Sequence, residues 1–270
     1  EQTGFTVRYN NSYEINKNIY GNTYIDNVQQ YISVNGGTIN FNGRTTWLAD
    51  NVPYLLTSDL TIEADNNSEH LGVLHIEEGT TVQMNEGVHI IIGHETNANL
   101  RGALQANGVT FTRGVDNSEG RWEYIKFRNY SSDDSSFIEN STIEYADMGL
   151  YLADASPTIT NTIFQHNQIG IENNGNSSPP INRNYFLDNS TAIRLNTSGV
   201  PEYIIGNSPG LGNQFIGNEI ALINTNNILP IEARYNYWGS PSGPSGDEGS
   251  GIGDEIIGDI NYKEVKKSIT

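Results

Sequence analysis

The chain has 270 residues, Lys+Arg 14 against Asp+Glu 32 and a formal net charge of −18, so nucleic acid and polyanions are poor partners unless a cation intervenes. It contains no cysteine, which excludes a disulfide frame and a thiolate metal site. No apolar run is long enough to span a bilayer, so membrane insertion is not expected, and no cleavable signal stands at its start.

Residues 1–24 are polar with scattered Tyr and Ile and read as an arm or leading strand. Ile25, Val28, Tyr31 and Ile32 then fall on one helical face, which predicts a short amphipathic helix over Ile25–Ile32. It runs directly into Gly36-Gly37-Thr38-Ile39. A helix followed by such a strand resembles the N-terminal cap of pectate-lyase-like right-handed β-helices. The cap would cover the open end of the barrel, whose first rung otherwise shows an unpaired edge.

From Leu60 to Phe127 the chain is written as short alternating runs, among them Leu60-Thr61-Ile62, Leu74-His75-Ile76, Val88-His89-Ile90 and Tyr124-Ile125-Lys126-Phe127. Alternation predicts strands with one face inward and one toward water. Glu78-Gly79 and Glu86-Gly87 supply turns between them. The run Ile76-Glu77-Glu78-Gly79-Thr80-Thr81-Val82 resembles the opening rungs of secreted bacterial β-helix repeat proteins.

Between Phe137 and Asn236 one pattern recurs. Phe164-Gln165-His166-Asn167, Phe186-Leu187-Asp188-Asn189 and Phe215-Ile216-Gly217-Asn218 all read Phe-x-x-Asn, and each precedes a short apolar run opened by Gly170, Ala192 or Ala221. A degenerate earlier copy leads to Gly149, so the steps are 21, 22 and 29 residues. The excess in the third step predicts an insertion over Ser198–Leu211. A period in the low twenties, with short strands and Gly and Asn at corners, specifies a solenoid of stacked strand rungs. A leucine-rich repeat has a similar period but needs Leu-x-x-Leu-x-Leu, which is missing. On this reading Ile163, Phe164 and Phe186 form core columns, and Asn161, Asn184 and Asn213 stand at a corner where stacked amides bond backbone groups.

Tyr235-Asn236-Tyr237-Trp238-Gly239-Ser240-Pro241, followed by Asp259-Ile260-Asn261-Tyr262, resembles the closing segment of the same family. Trp238 is expected to plug the last rung. The predicted architecture is therefore all-β: a right-handed parallel β-helix over residues 25–262 with a short N-terminal cap helix, an arm over 1–24 and a tail or linker over 263–270.

The scaffold resembles polysaccharide-acting enzymes, whose constellations are only partly matched. Asp133-Asp134 is the one adjacent Asp pair and reads as a solvated turn; Gly93-His94 lacks a following Gly, and no Arg-x-Lys occurs. Column arithmetic sets Asp147 beside Gln168 and Asp154 near Gly175, so no carboxylate ladder for calcium forms. The histidines at 70, 75, 89, 94 and 166 are isolated, and His75 and His89 alone do not define a zinc site. Tyr151, Glu172 and Arg194 are spaced by 21 and 22 residues and should project outward on successive rungs, where a ring, a carboxylate and a guanidinium could grip a sugar. Trp47 and Tyr130 join Tyr151 as expected exposed aromatics.

Seven Asn-x-Ser/Thr triplets fit an extracellular protein. The expected role is a noncatalytic structural, adhesive or glycan-binding module, secreted or on a cell surface, with neutral or amino-bearing glycans as the better ligands. Self-association through solenoid ends or edges is a further expectation. A polysaccharide lyase or glycoside hydrolase is the alternative. No cofactor is expected, although calcium remains possible.

Overall fold

Three-residue to nine-residue strands with alternating burial, such as Leu60–Glu63 and Gly72–Ile76, need a partner above and below to satisfy their backbone groups. The computed structural model describes residues 6–9, 31–49, 52–114, 120–196, 204–225, 230–247 and 249–268, and supplies those partners by coiling the chain on itself. The result is all-β: a parallel β-helix in which each turn lays three strands on the turn before.

The three faces are three parallel ladders. In the first, Tyr54–Leu56 pairs with Thr81–Met84, and the stack continues through Thr110–Arg113, Thr142–Glu144, Ile163–Gln165 and Tyr185–Leu187 to Gln214–Ile216. The second runs from Leu60–Glu63 through Ile90–Ile92, Trp122–Phe127, Ala146–Ala153, Ile169–Asn174, Thr191–Asn196 and Ile220–Asn224 to Gly253–Ile257. The third stacks Gly43–Trp47, Gly72–Ile76, Gly102–Asn107, Phe137–Glu139, Thr158–Thr160 and Ile181–Asn182. Ile32–Asn40 spans the first two faces, pairing with Tyr54–Leu56 and with Leu60–Glu63, and Thr6–Tyr9 lies parallel to it. The bend within Ile32–Asn40 needs Gly36 at φ 69, where a Cβ would strike the carbonyl oxygen of Asp59. The predicted cap helix lies outside the described residues except for Tyr31 and Ile32, and Ile32 opens the strand.

Equivalent residues form continuous columns in the core. Phe164, Phe186, Phe215 and Trp238 are fully buried and stack ring on ring at 5.0, 5.1 and 4.8 Å, nearly parallel. Those separations match the spacing of paired strands, so each ring sits directly on the ring below. Trp238 ends this stack, as its sequence context implies. Ile163 instead takes the outward register between Thr142 and Tyr185 and is only half-buried, a correction to its expected core place: in a strand, the neighbour of an inward Phe must point out. Trp47 is also corrected. It is 2% exposed, lying inward beside Ile76 and stacked on Tyr54 at 4.8 Å, because its strand turns Thr45 and Trp47 inward and Arg44 and Thr46 outward.

Two buried amide ladders hold the corners. Asn167, Asn189 and Asn218 bond up the stack, each side-chain oxygen accepting from the backbone N–H of the rung beneath, and Asp254 terminates the series. A second series runs Thr162, Asn184, Asn213 and Asn236. The residue before most ladder members takes left-handed angles, among them His166 (φ 56) and Asp188 (φ 52) at one corner and Asn161 (φ 50) and Arg183 (φ 59) at the other. Asn161 thus stands at the corner but outside the ladder, where Thr162 takes the place expected for it. Each strained non-glycine corner costs about 1 kcal/mol or more, offset by a buried side chain satisfying several backbone groups beside it.

Candidate functional site

The column on the second face forms as its spacing implies. Tyr151, Glu172 and Arg194 lie in register on successive rungs, with Lys126 one rung below Tyr151. The outward side of this strand is water-facing by register, yet Glu172 is only 4% exposed, because its neighbours lie over it. Its Oε2 accepts a short hydrogen bond from Arg194 Nε. Burial pushes the Glu172 carboxyl above the usual carboxylate range, with the Arg194 hydrogen bond and charge pulling the other way. Tyr151 does not join that ion pair. Its hydroxyl accepts from Asn174 Nδ2 at 3.1 Å, and the Lys126 ammonium sits 4.6 Å from the centre of its ring. Lys126 also approaches Glu95 at 3.7 Å.

An aromatic strip continues from Tyr151. Tyr124 meets it edge-on at 6.0 Å, and His89 stacks on Tyr124 at 4.8 Å while its Nδ1 lies 2.7 Å from Glu123. His75 belongs to a different face, in Gly72–Ile76, so it and His89 are on separate faces. Burial lowers the pKa of His75. Asp133 and Asp134 form a short turn in which Asp133 accepts from the Ser156 backbone at 2.8 Å, while burial raises its carboxyl pKa. Asp147 and Asp154 fall beside Gln168 and Gly175 as column arithmetic implies. Among the described residues no three His, Asp or Glu side chains converge on one point.

A second site lies where the first and third faces meet. Along that corner the stacked residues are Asn161, Arg183, Gly212 and Tyr235, beside the outward column Ile163, Tyr185, Gln214 and Tyr237. Gly212 stands between Arg183 and Tyr235 in this stack, and the Tyr235 backbone closes in on it. A Cβ there would strike the carbonyl oxygen of Tyr235. The corner borders a cleft of about 370 Å³, lined also by Pro209 and Gly210 of the inserted loop and by Lys266.

The polar inventory of the cleft is uneven. Arg183 Nε donates to Gly210 O at 2.9 Å, and neither Arg183 nor Lys266 has a carboxylate partner among the described residues. A hydrogen bond to Glu264 pushes the Tyr235 hydroxyl pKa up, and Glu264 shares Arg234 with Glu232, at 3.6 and 3.2 Å. Gln214 is 3% exposed, and its side-chain oxygen is buried without a hydrogen-bond partner. Sequence reasoning missed this cleft. Its one visible signal was the 29-residue step, since an insertion in a solenoid marks a loop on one face.

Comparison with protein-family models, with curated proteins and with solved structures returns no match.

Proposed function

We propose that this chain is a noncatalytic β-helical module, secreted or displayed on a cell surface, that serves as a structural, adhesive or glycan-binding rod. Support comes from one arrangement: Glu172 and Arg194 bind each other while the half-buried Tyr151 ring stays beside them on a flat parallel face. A carboxylate and guanidinium engaged in this way are poorly placed to move protons, whereas a tyrosine platform flanked by amides and a cation suits sugar rings. The Gly36-Gly37-Thr38-Ile39 strand and the Tyr235–Pro241 segment support membership of the pectate-lyase-like superfamily of right-handed parallel β-helices. The acidic surface, with its formal charge of −18, favours solubility and disfavours nucleic acid. Among the described residues no helix is long and apolar enough to cross a membrane.

A lyase or hydrolase is the second reading. It is favoured by Glu172 itself, a buried carboxyl with a raised pKa beside an arginine, which is how a general acid is often held.

The test is a panel of neutral and acidic polysaccharides, with and without calcium, scored for retained binding and for released products. Binding without products, weakened about tenfold by Tyr151→Ala through loss of a stacking contact, is the expected outcome. New reducing ends or unsaturated products that disappear in Glu172→Gln would overturn the noncatalytic reading.

A further inference from the structure

The corner cleft brings two cations to one cavity. The chain carries 32 acidic against 14 basic side chains, and the described ion pairs engage Lys126, Arg128, Arg194 and Arg234 with glutamates. Arg183 and Lys266 are outside those pairs and converge on one cavity. Arg183 spends only Nε on the loop carbonyl, so its terminal nitrogens remain as donors. Two cations left unneutralised in so acidic a molecule call for an anion.

Gln214 adds an independent requirement. Its buried amide oxygen, without a donor, costs about 1 to 3 kcal/mol; it is closed to the cleft as the side chain stands, so a ligand hydroxyl recovers that cost by turning the amide toward the cavity. In the outward column Gln214 lies between Tyr185 and Tyr237, and Tyr185 and Tyr235 line the cleft with it. Phenol rings, one amide acceptor and a pair of cations form a set suited to a pyranose with an acidic substituent. A cavity of about 370 Å³ has room for one or two such rings. A polymer acidic at every residue would meet repulsion outside the cleft, so the ligand is one with an isolated charge.

We propose that the cleft between Arg183, Lys266 and Gln214 binds a saccharide residue bearing a single anionic group, its charge held by the two cations and a ring hydroxyl donating to Gln214. This rests on the glycan-binding reading above and narrows the ligand from neutral sugars to singly acidic ones. The inserted loop is then the device that turns a regular corner into a site, since Pro209 and Gly210 form its wall.

Calorimetric titration would use three probes: a glucuronic-acid-terminated disaccharide, its carboxyl-reduced neutral counterpart, and a singly sulfated disaccharide. The acidic probes should bind at least about tenfold more tightly than the reduced one, and Arg183→Ala or Lys266→Met should each remove about tenfold without lowering the melting temperature. The affinity should fall with added salt. Preference for carboxylate over sulfate, or the reverse, identifies the anionic group. Acidic binding that is unchanged in both variants overturns the site. Binding of the neutral probe alone, lost in Tyr151→Ala, overturns this proposal and leaves the glycan-binding reading intact. No binding by any probe or by the polysaccharide panel overturns both.

Discussion

The two outward columns of this molecule have the same ingredients and opposite outcomes. On the second face Tyr151, Glu172 and Arg194 follow one another at regular steps, and regularity brings opposite charges into contact, so the column satisfies itself. At the corner of the first and third faces, Gly212 stands in the stack and the inserted loop adds a wall, and among the described residues Arg183 and Lys266 have no carboxylate partner. In a solenoid, strict periodicity favours stability. Departures from it leave unmet interactions for a ligand.

Both columns stand on the same aromatic stack, which gives the largest expected effect. Phe186→Ala removes the ring between Phe164 and Phe215 and should cost about 3 to 5 kcal/mol, read by chemical denaturation, with loss of order at both columns.

The next effect separates the columns. Arg194→Ala strands the buried Glu172 carboxylate and should cost about 1 to 3 kcal/mol at neutral pH, since the surviving partner loses its hydrogen bond. A carboxyl whose folded pKa is raised binds its proton more readily folded than unfolded, so this deficit should shrink as pH falls through the raised value. A deficit that is constant with pH would show that Glu172 is not buried in its charged form. Arg183→Ala should change stability by no more than about 0.5 kcal/mol, because an exposed cation holding one loop carbonyl contributes little.

In the wild type, burial raises the pKa of Glu172, Asp133, Asp147 and Asp254, so each contributes a penalty at neutral pH that is relieved on acidification. His75, whose pKa is lowered by burial, acts in the opposite sense below its usual range. With four carboxyls against one imidazole, and less self-repulsion as the negative charge falls, the melting temperature should rise from pH 7 toward about pH 5. The slope should be smaller in Glu172→Gln, which sharpens the assignment to that residue.

Much of this architecture was legible because its repeats are written in residue types that have one use. Phe-x-x-Asn encodes an inward ring, an outward residue, a left-handed corner and a buried ladder amide, and each of the three copies folds that way. The spacing of Tyr151, Glu172 and Arg194 was readable for the same reason. Ile163 and Trp47 were misread because β-branched and aromatic residues suit either side of a strand, and only the pairing fixes which side is inside.

The sequence by itself determined a stack of parallel rungs, its core column and, between Gly149 and Ala221, the step at which the short repeat lengthens. Burial of Glu172 beneath its neighbours, separation of His75 from His89, and convergence of Arg183 with Lys266 were decided only by the tertiary structure. Arg183 and Lys266 belong to separate rungs with an insertion between them, and residues outside a common repeat have no spacing that announces contact. Periodicity records neighbours within a column. The meeting of a corner, a loop and a returning tail depends on how the whole coil closes around its core.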